Sequence, residues 1–386
     1  MAGLTRDLRS LRAQLAMTPE PPPPPSPPGE IRSLNTIRGV AALMVAIFHA
    51  PALFGVAETF PHAYLAVDLF FVLSGFVLLH AYDARIEHGL SLPRFFQLRL
   101  ARLYPLLLVV TFVGFGVMLI KHAAGRVPMN GDTFLSLPLS LFMLPAPADA
   151  TINHAAFPFV SQSWSIVWEV ALCPILFVWV KWVRTWAVLI AAVFALALAW
   201  VAFSQGTIDG GWTTPTFWVG ALRAIVAFFA GVSMRIWTRM GPLPRWANRA
   251  AAAAAVLVVG YVTLVHGTFW WAEFAAAVAG FPLIIAAAAQ RRHRLLENWV
   301  GDRIGEASYS IYMLHAATID VLETGLKRVS HISAPVHFAL GLGWVLALIV
   351  GAWFCWRYVE TPLRRHFSRT DMPRPRLFAP HALARA

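Results

Sequence analysis

Charge is scarce in this chain: 13% of its 386 residues are Asp, Glu, Lys or Arg, against 58% that are hydrophobic, and the mean hydropathy is +0.63. That balance excludes a water-soluble enzyme built around one large core and fits an integral membrane protein. Cysteine is nearly missing. Cys173 and Cys355 both lie in apolar stretches, which excludes a disulfide framework and any cysteine-based metal spacing, so no metal site is expected. The first 33 residues lack an apolar core followed by a small-residue cleavage site, and no removable signal peptide is expected there. Acidic residues are few, 19 against 31 Lys and Arg, for a net charge of +12. The basic residues cluster between apolar runs, which speaks against a nucleic-acid partner.

What the chain does have is length of apolar sequence. Runs long enough to span a bilayer fall at roughly 34–54, 63–82, 103–120, 164–182, 186–203, 217–236, 250–266, 270–289, 308–326 and 336–357. The stretch Leu135 to Leu144 is interrupted by Pro138, is too short to cross, and is expected to be re-entrant or interfacial. The expected fold is therefore an all-α integral membrane protein of about ten transmembrane helices plus one short helix. With the N-terminus inside, every Lys and Arg except Lys121, Arg126, Lys327, Arg328 and the intramembrane Arg223 falls on the inner side. This asymmetry predicts a multi-pass protein of the cytoplasmic membrane with both termini in the cytosol. Three parts are expected. Residues 1–33 form a disordered tail with the run Pro21–Pro28, 34–360 a membrane domain in contact with lipid, and 361–386 a basic cytosolic tail.

Ionisable side chains inside such spans are costly and mark functional sites. Arg38 and His49 are eleven residues apart in the first span, so on a helix they share a face about 16 Å apart along the axis. Counting residues from the outer ends places His49, Asp68, Glu169 and Arg223 in one layer about 7–9 Å below the outer surface. A histidine with two carboxylates and an arginine at one depth suits acid/base chemistry, with Asp68 or Glu169 orienting His49 and Arg223 stabilising developing negative charge. An ion-pair network joining Arg223 to Glu169 and His49 to Asp68, serving packing alone, is the other reading of that layer. Toward the inner side, Arg99 and Arg102 are three apart and, with Arg38, form a basic mouth suited to phosphate. A donor with a diphosphate at that mouth and a long arm ending near His49 has the shape of acyl-coenzyme A.

Five ordered blocks carry a resemblance: Arg38-Gly-Val-Ala-Ala through His49, Val67-Asp-Leu-Phe-Phe-Val-Leu-Ser-Gly-Phe76, Arg99-Leu-Ala-Arg-Leu-Tyr-Pro105, Ser163-Trp-Ser-Ile-Val-Trp-Glu169 and Ser308-Tyr-Ser-Ile-Tyr-Met-Leu-His315. Over about 33–360 the chain resembles the acyltransferase 3 family. The resemblance implies a ten-helix enzyme that moves an acyl group, usually acetyl, from cytosolic acyl-CoA to a hydroxyl of a carbohydrate or glycolipid acceptor, with no bound cofactor. It implies His49 as base or acyl relay, Arg38, Arg99 and Arg102 on the donor side, and Glu169 in support. After Glu169 the chain reads Val-Ala-Leu-Cys-Pro174, without the second acidic residue that many relatives have. No large hydrophilic domain follows the last span, so the enzyme is expected to act alone or with a separate extracytoplasmic partner. Tyr309, Tyr312 and His315 share a helix face and read first as packing. The competing class is a transporter or flippase for a lipid-linked or small sugar, in which the charged layer is a path rather than a reaction centre.

Overall fold

Several helix ends in the computed structural model fall at proline or glycine, as at Pro51, Gly55, Gly206 and Gly241, while other prolines and glycines lie inside helices. The structure describes residues 31–290, 294–326 and 332–369, so residues 1–30 of the expected N-terminal tail, Lys327, Arg328 and the last part of the basic tail lie outside the described residues, while Arg32 and Ser33 already belong to the first helix. Among the described residues there are helices and no strands, apart from one isolated bridge between Ala155 and Thr213. In chain order the helices are α1 (Arg32–Phe48), α2 (Pro51–Phe54), α3 (Ala66–Glu87), α4 (Leu92–Ala123), α5 (Gly131–Leu141), α6 (Ser163–Val178) and α7 (Val180–Gln205). Then follow α8 (Phe217–Met240), α9 (Arg245–Leu264), α10 (Trp270–Gln290), α11 (Trp299–Glu306), α12 (Ser308–Leu326), α13 (Ala334–Cys355) and α14 (Thr361–Arg369).

Seven of these helical stretches are long and apolar enough to cross a membrane. Helices α1, α6 and α12, with 17, 16 and 19 residues, occupy the three other expected spans. The protein is an all-α membrane protein. Helix α5 is the expected short piece. Asn130 caps it by accepting from the Thr133 amide, and the Thr133 hydroxyl accepts from the Asn130 amide in return.

Several boundaries differ from the expected ones for identifiable reasons. The first helix stops at Phe48, six residues short, because Pro51 cannot donate a backbone N–H and its ring would press on the carbonyl of Ile47. That carbonyl instead accepts from Ala50 N at 3.0 Å and from the Thr59 hydroxyl at 2.5 Å. The span expected at 103–120 belongs to the 32-residue α4, which passes through Pro105 and carries Arg94, Arg99 and Arg102 into the bundle. The break expected near 183–185 falls at Trp179, the single residue between α6 and α7. The last helix, expected at 336–357, does not end there: after a π turn, Trp356–Glu360, it continues as α14, whose Phe367 carbonyl accepts from Gln97 Nε2 at 3.0 Å.

Helices α3 and α8 form the most extensive packing contact in the bundle. Their backbones meet because both lack side chains at the crossing. A Cβ on Gly75 would lie 2.0 Å from the Phe228 carbonyl oxygen, and one on Gly231 would lie 2.1 Å from that of Val72. Gly39, Gly301 and Gly305 play the same part between α1 and α11.

Gly75→Ala should therefore destabilise the detergent-solubilised protein by about 1–3 kcal/mol through overpacking. Gly116→Ala, on open α4 surface, should be neutral or stabilising by up to about 1 kcal/mol. Thermal unfolding of the two variants side by side checks this; equal midpoints would contradict the close α3–α8 contact.

Candidate active site

The break that Pro51 forces leaves His49 just beyond the last turn of α1, between the helices yet exposed. Its Nδ1–H donates to the Val45 carbonyl at 2.8 Å, which leaves Nε2 as the acceptor when the ring is neutral. His315 of α12 lies against it, with ring centroids 5.1 Å apart. The His315 Nδ1–H likewise donates to its own helix, to the Tyr312 carbonyl at 2.7 Å, and the residue is buried. Two imidazoles thus stand together with the same tautomer enforced by their own backbones.

Asp68 and Arg223 are brought together, but as a closed pair. Arg223 Nε donates to Oδ1 of Asp68 at 3.1 Å and Nη2 to Oδ2 at 2.6 Å, a fork-to-fork geometry with both side chains fully buried. The guanidinium also donates to the carbonyls of Gly210 at 2.9 Å and Tyr64 at 3.3 Å, and lies over the Trp164 ring at 5.3 Å. Neither side chain of the expected packing network takes its expected partner: Arg223 is not paired with Glu169, and His49 is not paired with Asp68. The acid that faces His49 electrostatically is Asp209, in the loop between α7 and α8, with Oδ1 3.9 Å from Arg223 Nη1. Asp209 reaches solvent yet is hemmed in by protein. Its lost hydration pushes the carboxyl pKa up, and Arg223 pulls it back.

Glu169 lies in a different group. Its Oε1 accepts from Arg99 Nη2 at 2.5 Å and from the Ser74 hydroxyl at 3.0 Å. Residue counting put Glu169 in the layer of His49 and Arg99 at the inner interface, whereas α4 carries Arg99 inward to a site where it is 5% exposed. Arg38 donates to the Ser308 hydroxyl at 2.8 Å and to the Gly305 carbonyl at 3.0 Å, since the glycines of α11 admit α1 at close range. Arg102, partly accessible, hydrogen-bonds to none of the described residues. The expected single layer is therefore two groups. One holds His49, His315 and Asp209 beside the Asp68–Arg223 pair; the other holds Arg38, Arg99, Arg102 and Glu169. Helices α1 and α12 run through both.

Some residues escaped sequence reasoning. Asp209 sits in an ordinary Gly-rich loop, and only its fold onto α8 brings it to the site. Glu273 had the same signal as Asp68, an acid inside an apolar run. It is fully buried, accepting from the Thr207 hydroxyl and the Ile208 amide, each at 2.8 Å, with His62 Nδ1 3.7 Å away. Among the described residues no cluster of His, Cys, Asp and Glu is arranged to hold a metal.

A family model described as an acyltransferase domain matches residues 31–356. A Rhizobium radiobacter protein called protein 2 in the picA locus is 37% identical over 176 residues, 43% of this chain and 91% of that protein. The acyltransferase MdmB of Streptomyces mycarofaciens is 28% identical over 333 residues, 79% of this chain and 82% of the relative. The exopolysaccharide production protein ExoZ of Rhizobium meliloti is 27% identical over 301 residues, 77% and 85% of the two chains. No solved structure matches the chain.

Breaking the buried pair with Asp68→Asn should cost about 3–5 kcal/mol by leaving Arg223 uncompensated. Folded yield and the unfolding midpoint should both fall, whereas His49→Ala should leave both at the wild-type value. Size-exclusion profiles with thermal unfolding read this; an Asp68→Asn protein as stable as wild type would contradict a structural role for the pair.

Proposed function

The chain belongs to the acyltransferase 3 family and is a membrane acyltransferase, and from that premise we propose that it is an O-acetyltransferase using acyl-CoA to esterify a hydroxyl of an exported or cell-surface glycan. Placing the arginine-rich end in the cytosol accords with the distribution of Lys and Arg along the chain, and it puts the protein in the cytoplasmic membrane with both termini inside. The observation that carries the reading is the arrangement along α1. Arg38 stands among arginines at one level, and His49, exposed and with Nε2 free, stands about 16 Å further along. A diphosphate held by Arg38 and Arg102 leaves a flexible arm to carry the thioester to His49. The glycan acceptor is supported by relatives such as ExoZ, whose name ties that protein to exopolysaccharide production.

In this mechanism His49 Nε2 takes the proton of the acceptor hydroxyl as its oxygen attacks the thioester carbonyl. The carbon–sulfur bond breaks, the thiolate leaves and takes up the proton, and the acyl oxygen ester remains. Transfer through an acyl-imidazole on His49 balances equally well, because the same nitrogen is free to attack. His315 packs against the His49 ring and helps to fix its position. Glu169 holds Arg99 rather than the imidazole. Arg223 is committed to Asp68, so it acts through the framework and its positive field.

Membranes containing the protein should transfer label from acetyl-CoA into an alkali-labile ester in a glycan or glycolipid fraction. His49→Ala should lower this transfer by at least about a hundredfold at unchanged abundance. Label that survives His49→Ala would overturn the role of His49. Uptake or export of an unmodified sugar with no ester formed would instead identify a transporter.

A further inference from the structure

At the arginine-rich end, Arg99 Nε and the Thr361 hydroxyl are buried and hydrogen-bonded to none of the described residues, and Arg102 likewise bonds to none of them. Thr361 follows Glu360, which is 4% exposed and accepts from the Ser310 hydroxyl at 2.9 Å, two residues along α12 from the serine that holds Arg38. Glu360 closes the π turn just before Pro362, where the helix widens past a residue that cannot donate an N–H. Arg364 lies one helical turn beyond Glu360, and α14 packs along α4, with the Gln97–Phe367 bond joining them, which sets the Glu360–Arg364 turn beside the stretch of α4 that carries Arg99 and Arg102. Buried N–H and O–H donors left unbonded among the described residues are costly until an acceptor arrives, and a diphosphate diester offers several acceptor oxygens and two negative charges.

We propose that the segment Glu360–Arg364, beyond the end of the family match at residue 356, completes the donor site, with Arg364 of α14 gripping the donor's diphosphate alongside Arg38 and Arg102. The inference rests on the acyl-CoA reading given above and assigns to α14 a binding role, where sequence suggested only a basic tail. The segment is held in place independently of any ligand, through the Ser310–Glu360 bond at one end and the Gln97–Phe367 bond at the other. Arg365, the next residue, is exposed and supplies a control of equal charge and nearly equal position.

Binding of free CoA, dephospho-CoA and pantetheine to the full-length protein in nanodiscs, followed by calorimetry, tests this without any turnover. The wild-type protein should bind the two diphosphate compounds far more tightly than pantetheine. Arg364→Gln should weaken both by about tenfold and leave pantetheine unaffected, while Arg364→Lys recovers part of the loss. Arg365→Gln should change affinity by less than about twofold, as expected of an exposed charge. Wild-type affinity in Arg364→Gln would overturn the proposal, and so would an equal loss in Arg365→Gln, which would mark a general surface field. Failure of the wild-type protein itself to bind CoA would instead remove the acyl-CoA reading on which the proposal stands.

Discussion

The Asp68–Arg223 pair is the constraint around which the rest of this bundle is arranged. A bidentate ion pair shut off from solvent at the start of α3 fixes where α8 must lie, and Gly75 and Gly231 let the two backbones touch further along. At the far end, Asp83 of α3 accepts from Arg239 of α8 and from Arg184 of α7, so the seam is tied at both ends and sealed in the middle. Such a pair contributes specificity of register more than net stability, because desolvating both ions offsets much of their attraction. Its remaining N–H groups reach the carbonyls of Gly210 and Tyr64, which pins the loop that carries Asp209. The environment of His49 is thus set by a pair that has no free group left for chemistry.

Two levels of polar chemistry follow, joined by helices that take part in both. Helix α1 presents Arg38 at one level and delivers His49, just past its last turn, to the other. Helix α12 presents Ser308, which holds Arg38, and His315, which lies against His49. An acyl donor with a charged head and a long neutral arm fits that division, the head meeting the arginines of one level and the arm spanning the distance to the other, as proposed above. The reacting end arrives at an imidazole whose outward nitrogen is left free by a backbone bond at the other.

Much of this was legible in the sequence, for physical reasons that also mark where it ceased to be. Spanning helices are visible because lipid demands long apolar runs, and Arg38 and His49 are visible because charge within such runs is rare. What residue counting missed was tilt, length and breaks. Glu169 was assigned to the layer of His49 from its distance to a helix end, whereas the 32-residue α4 brings Arg99 in to meet it. His49 was placed within a helix that Pro51 ends before reaching it. Asp209 carried no signal of its own, because a loop acid is commonplace until the fold places it beside Arg223.

The central claim is that the donor is read at the arginine-rich end, on the cytosolic side, and that the acyl group travels along α1 toward the other face. Sealed membrane vesicles of the two orientations, each supplied with radiolabelled acetyl-CoA from outside, test it most directly. Inverted vesicles, with the arginine-rich end outward, should form labelled ester, and sealed right-side-out vesicles should form almost none until they are made permeable. Equal labelling in both sealed orientations, or labelling confined to the right-side-out ones, would contradict the account.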